Sequence, residues 1–311
     1  MAEYRLLENT FAGDSADRPL GGLFHTPAFF NLHSAGTGTF FEWEQNGKVV
    51  ASVHFTPGAD GLWRSPARGT FAGFACAPGL RLESLSAFEA TVQARLIALG
   101  AARIEILPAP MAHDPVAFSN QLYLLRARGF ELARCDLNHS LPIDARSLVE
   151  RMSYGNVKRL RKCEREGLIC EQLPLSALVT VYETLEANRA GNGHAMSMTL
   201  AQLQTMADTF PEAMLLFGTR DGDRLAAAGL CLNLGMGVLY VFYWGDRPGY
   251  ASLSPVVGVA DAIYRLGQQQ GLRLLDVGTS TVDREPNHGL IEFKRGLGFD
   301  ESLKVCLTRA V

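Results

Sequence analysis

Two stretches of this chain run through the same series of residue patterns, so a fold for it has to supply the same unit twice. In the first, Leu85, Phe88, Val92, Leu96 and Leu99 recur at helical spacing, Gly100 closes the helix, and residues Arg103 to Leu107 read as a strand. In the second, Ser254 and Pro255 supply an N-cap and a first-turn proline, Val256, Val259, Ala260 and Ile263 share one helical face, Gly271 ends it, and Leu272 to Val277 read as a strand. A further helix follows in each copy and ends in Gly129-Phe130 or Gly298-Phe299, ahead of a strand containing Cys135 or Cys306. The registers agree, because Gly100 and Gly271 lie 171 residues apart and Gly129 and Gly298 lie 169 apart. An offset this long points to duplication of a whole domain and not to a solenoid, whose repeats recur every few tens of residues.

Each copy opens on hairpin-like strands. Phe40 to Glu44 and Lys48 to His54 flank Asn46-Gly47, and Ala213 to Phe217 and Leu225 to Leu232 flank Asp221 to Asp223. The expected architecture is α/β with mixed sheets: an N-terminal domain over residues 1–144, a basic helical linker over 145–167, and a C-terminal domain over 168–311. In the linker, Lys158, Arg161, Lys162 and Arg165 fall on one helical face and Val157, Leu160 and Cys163 on the other. That face is either an anion-binding surface or a solvated one beside Glu164 and Glu166.

With 311 residues and 47% hydrophobic composition, the chain has enough apolar material for a large core. No stretch reaches the roughly 18 uninterrupted apolar residues of a membrane-spanning helix, and no basic leader opens the chain, so the expectation is a cytoplasmic protein. The six cysteines form no CxxC pair and interleave with no histidine at ligand spacing, so no metal site is expected. A net charge of -3 gives no global attraction to nucleic acid, and a polyanion would have to be met by a local basic patch.

From Val157 onward the chain resembles the Fem-type aminoacyltransferases and related acetyltransferase-like proteins of the GNAT superfamily. The resemblance is carried by the basic segment Asn156 to Gly167, by Ser254-Pro255 opening a helix, by Asp276 to Gly278 ending a strand, and by Asn287 to Leu290 ahead of Phe293-Lys294 and Gly298-Phe299. It implies two GNAT-type domains facing each other across a cleft that admits a small acceptor, with the donor held mainly by the second. It also implies transfer of an acyl group to an amine or hydroxyl from acyl-CoA, or of an aminoacyl group from aminoacyl-tRNA to a peptidoglycan precursor or peptide-like metabolite. Two departures stand out. The Gln/Arg-x-x-Gly-x-Gly/Ala phosphate loop is absent between Asp246 and Pro255, and no heptad insertion supplies a coiled-coil arm. The acidic balance and the missing arm favour acyl-CoA over tRNA as donor, and the degenerate loop leaves a catalytically inactive binding protein as a further alternative.

Several residues are candidates for the chemistry. Lys294 matches the Phe-Lys pair and is suited to a donor phosphate or a forming oxyanion, or else its stem simply covers Phe293. Asp276, at the carboxyl end of a strand, either contacts ligand or caps the Gly-Thr-Ser turn. Tyr243 is a candidate general acid and Trp244 a wall of the acceptor pocket, although aromatics in a strand also serve as plain core. Ser252 and Ser254, at the start of the Pro255 helix, are candidates for donor phosphate binding. Asn287 and His288 are placed to contact substrate, His288 as a base, and the glycine-containing loop from Asn188 to His194 suits an acceptor.

Overall fold

A computed structural model describes residues 3–12, 20–282 and 284–311, which divide into two compact units, one of the described residues up to 137 together with 302–311 and the other of those between 138 and 301.

The first unit runs β1 (Tyr4–Glu8), α1 (Pro27–Ser34), β2 (Thr39–Gln45), β3 (Lys48–Pro57), β4 (Leu62–Ser65), β5 (Ala75–Cys76), α2 (Leu82–Ala98), β6 (Arg103–Ile106), α3 (Pro115–Ala127) and the start of β7 (Glu131–Pro142). Asn46 and Gly47 join β2 to β3 with φ of 50° and 77°, the left-handed pair that a two-residue hairpin turn demands. The strands lie in the order β1-β2-β3-β4-β6, antiparallel except for the parallel pair β4–β6, with β5 against β3. The helical stripe on α2 buries Leu85, Phe88, Val92 and Leu96 against Trp43, Phe74 and Ile104. Gln121 on α3 clamps the backbone of Phe74, accepting its N–H at 3.0 Å and donating to its carbonyl at 2.9 Å.

The second unit begins with the end of β7 and continues through α4 (Tyr154–Arg165), β8 (Cys170–Leu173), α5 (Leu178–Gly191), α6 (Leu200–Thr209), β9 (Met214–Asp221), β10 (Arg224–Asn233), β11 (Val238–Asp246), α7 (Val256–Gln269), β12 (Leu274–Thr279), the short pair β13 (Thr281–Val282) and β14 (Glu285–Pro286), α8 (His288–Gly296) and the first two residues of β15 (Asp300–Ala310), whose remainder belongs to the first unit. Its sheet has the order β7-β12-β11-β10-β9-β8, again antiparallel except for one parallel pair, β11–β12. Strand, helix, three antiparallel strands, helix, parallel strand, helix and final strand thus recur in both halves, as the repeat in the sequence requires.

The final strands differ from the sequence-based boundaries. Asn138 to Pro142 at the end of β7 pair with β12, whereas Leu307 to Ala310 of β15 pair with β6 in the first unit. Periodicity of two reports which face of a strand is buried but not which strand lies beside it, so this allocation has no local signature. Within 145–167, Leu160 and Cys163 of α4 pack into the core of the second unit. That helix starts at Tyr154, capped by Ser153, and runs through Gly155 without a break.

Candidate active site

The parallel pairing of β11 with β12 covers Val238 to Tyr240 against Leu274 to Asp276 and goes no further. The β10–β11 register slips between Leu230 and Cys231, leaving Phe242 as the extra residue on β11. Beyond Asp276 the β7–β12 register also shifts, and Gly278 takes a φ of 71°. Backbone groups past that point have no ladder partner on β11, so side chains have to satisfy them.

Lys294 does much of this. Its side chain is only 1% exposed, and its Nζ donates to the carbonyls of Gly278 and Thr279, each at 2.9 Å. Burial pushes the ammonium down to about 7, against the opposing attraction of Asp276. Asp276 is itself fully buried, and its Oδ1 accepts from the Gly278 amide at 2.7 Å and from Asn138 Nδ2 at 3.1 Å. Asp276 thus binds the turn that follows it, holding the amide of Gly278, the residue whose own carbonyl accepts from Lys294. Beside it, His139 Nδ1 lies 3.1 Å from Ser280 Oγ, and its Nε2 lies 3.7 Å from Glu301, too far for a hydrogen bond. Burial first and the Lys294 charge second push His139 down to about 4, so it is neutral at pH 7.

Asn138, His139 and Ser280 escaped the sequence reading. The signal was present in Asp136, Asn138 and Ser140, polar residues at alternate positions of one strand, which mark a polar face that folding then buries.

The start of α7 differs from expectation. Ser254 does not cap the helix: it sits at φ 50° and its Oγ donates to the Ala251 carbonyl at 3.1 Å. The capping group is Asp246, ten residues earlier, whose Oδ1 accepts the Val256 amide at 2.6 Å. The neighbouring amides are also engaged, Leu253 and Ser254 with Tyr250, Val257 with Ser254, and Gly258 with Pro255. Burial raises Asp246 to about 6, opposed by the Val256 hydrogen bond. Ser252 is exposed.

The other candidates are dispersed. Tyr243 is buried, its hydroxyl hydrogen-bonded to Ser197 and its ring under the Arg189 guanidinium at 5.8 Å, which ties it to the segment from Asn188 to Ser197. Trp244 packs edge-on against Phe293 and Phe299 at 5.9 and 6.2 Å, half-buried against the core of the second unit. Asn287 caps α8 by accepting the Leu290 amide at 3.0 Å, and His288 is exposed at the first helical position. Lys158, Arg161, Lys162 and Arg165 are exposed on α4. Among the described residues no group of three or more His, Cys, Asp or Glu is placed to hold a metal, and no helix is long and apolar enough to cross a membrane.

No family model matches the chain, and neither does any curated protein. Solved structures do. The chain is similar to the crystal structure of FemX, with a TM-score of 0.74 and 13% identity over 97% of this chain and 94% of the other. Against L-PGS from Bacillus licheniformis the TM-score is 0.60 at 11% identity, covering 89% and 85%. Against the tandem GNAT protein of the clavulanic acid biosynthesis pathway it is 0.55 at 14% identity, covering 99% and 98%. The chain therefore shares the fold of these proteins, a tandem GNAT protein among them.

Proposed function

We propose that this chain moves an aminoacyl group from aminoacyl-tRNA to the amine of a small acceptor, in the second unit, where β11 and β12 part. The observation that carries the choice of donor is the Asp246 carboxylate on the Val256 amide. An acyl-CoA donor brings a pyrophosphate, and a helix start accommodates one by offering free amides and the positive end of the dipole. Here a carboxylate already holds that end, and the adjoining amides are spent on their own carbonyls. Asp246, titrating near 6, is ionised at neutral pH and repels a phosphate. This reverses the donor preference drawn from composition.

The reaction is attack of the acceptor nitrogen on the aminoacyl ester carbonyl, passing through a tetrahedral oxyanion that collapses by breaking the ester C–O bond, so that the ribose oxygen of the tRNA leaves as a hydroxyl with the proton lost by the nitrogen. Lys294 supplies the positive charge for that oxygen. Two of its three hydrogens are fixed on Gly278 and Thr279, which aims the third and removes the cost of orienting it during the reaction. Asp276 holds the Gly278 amide at the start of that turn.

Two measurements on the full chain test the reading. Millimolar coenzyme A or acetyl-CoA should leave the melting temperature unchanged, whereas a donor present at 100 times its Kd would stabilise by about 2.7 kcal/mol. Charged tRNA should support transfer of label to an amine acceptor. Saturable, salt-insensitive stabilisation by coenzyme A would sink the tRNA reading in favour of acyl-CoA, and a response to neither donor would favour a binding protein without activity.

A further inference from the structure

We infer that the outward face of α4 is the surface on which the donor's RNA docks, with an unpaired base stacked on Tyr154 and phosphates on Lys158, Arg161, Lys162 and Arg165; this rests on the aminoacyl-tRNA reading above.

The orientation of α4 is fixed from its opposite side. Asn156, Leu160 and Cys163 are buried, and Leu160 and Cys163 pack in the core of the second unit. At 100° per residue the direction opposite that buried edge is occupied by Tyr154, Lys158, Arg161, Lys162 and Arg165, and all five are exposed. They form a stripe about 16 Å long with no acidic residue inside it, since Glu164 and Glu166 fall on its flanks.

Two properties separate this stripe from an ordinary solvated face. First, five arginines elsewhere in the unit are paired with carboxylates, Arg146 and Arg151 on Asp144, Arg220 on Glu171, Arg265 on Asp261 and Arg295 on Glu301, whereas Arg159, Arg189 and Arg247 rest on neutral groups. Among the described residues none of the four stripe cations has a carboxylate partner, in a chain whose net charge is -3. Second, Tyr154 is 82% exposed at the head of the row. An aromatic ring left in water beside unpaired cations is the pairing that single-stranded nucleic acid uses, bases stacking on the ring while phosphates meet the cations. An anionic membrane would ask for aliphatic side chains to insert from the same face, but the apolar side of α4 is already committed to the core.

The test is binding of uncharged, unfractionated tRNA to the full chain across a salt series. The wild-type log affinity should fall steeply against log salt, and the fourfold variant Lys158→Gln, Arg161→Gln, Lys162→Gln, Arg165→Gln should lower that slope by about 3, at roughly 0.7 to 0.9 per phosphate contact. Tyr154→Ala should weaken binding by about 5- to 100-fold and Tyr154→Phe should not, because the phenyl ring still stacks. All these positions are exposed, so circular dichroism should report wild-type folding. Unchanged slopes, full affinity in Tyr154→Ala, or stripe-dependent binding to phosphatidylglycerol vesicles in place of tRNA would each overturn the docking surface. If the stripe variants take an aminoacyl group from charged tRNA with wild-type KM, the docking surface falls and the donor reading stands. If the wild type neither binds nor uses tRNA, the donor reading itself falls.

Discussion

Replacing Lys294 with methionine separates the chemistry of this residue from its packing, and the structure sets the size of both effects. An ammonium brought from 10.5 down to about 7 by burial costs the folded state about 4 kcal/mol at pH 7, at 1.36 kcal/mol per unit. Methionine removes that cost and keeps most of the stem. It also leaves the Gly278 and Thr279 carbonyls without their donor, at about 1–3 kcal/mol each. The two effects nearly cancel, so stability at pH 7 should change by no more than about 2 kcal/mol. The pH dependence does not cancel. The unfolded lysine keeps its proton up to 10.5 and the folded one loses it near 7, so the unfolded state binds more protons in between and wild-type stability gains from this group as pH rises through that window. From pH 7 to pH 10 the gain is about 3 kcal/mol. Asp276 and His139, the titratable groups beside it, are present in both proteins, so the difference between the two isolates Lys294. Urea denaturation of both proteins at pH 7 and pH 10 measures it, and parallel changes would refute the buried-ammonium argument. Turnover should fall about 100-fold in Lys294→Met, and wild-type turnover should decline above pH 7 as the charged form is lost. Near-normal turnover in the variant would remove Lys294 from the reaction.

Glu89 on α2 is fully buried, neither carboxyl oxygen has a hydrogen-bond partner among the described residues, and burial raises it to about 8 against the pull of Arg128. Its folded value lies above its unfolded 4.5, so this group's contribution falls as pH rises between the two; Glu89→Gln should gain about 3 kcal/mol relative to wild type from pH 5 to pH 8, read by denaturation at each pH. Gly298 has φ of 93°, and a Cβ there would lie 2.7 Å from Arg151 Cβ and 3.0 Å from its carbonyl oxygen, so Gly298→Ala should cost more than about 2 kcal/mol. Gly155, helical with open space around it, is the control: Gly155→Ala should raise stability by about 0.5–1 kcal/mol, and a loss there would show that α4 is not the helix described.

Local order was readable wherever one element decides it. The Asn46-Gly47 turn, the buried row Val256, Val259, Ala260 and Ile263 on α7, and the glycines ending α2 and α7 follow from short-range chemistry. Lys294 was identifiable through its neighbour Phe293, but its burial was not, because a lysine in a helix reads as surface until the partner carbonyls are known. The Asp246 cap was missed for a different reason. Ser254-Pro255 is a good local cap, and a carboxylate ten residues upstream displaces it only because β11 delivers that carboxylate to the helix start. The contact of Asn138 with Asp276 spans 138 residues of sequence and depends on which strand lies beside β12, a fact that no window of the sequence holds.

Because Leu307 to Ala310 complete the pairing of β6, the first unit is assembled out of order during synthesis. Some 200 residues separate Ile106 from Leu307, and at the 5–20 residues per second of a ribosome β6 waits on the order of 10–40 s for its neighbour. Through that interval an unpaired edge flanks a nearly finished apolar core, which makes the nascent chain a client for a holdase chaperone and exposes it to edge-to-edge association between neighbouring nascent chains on a polysome.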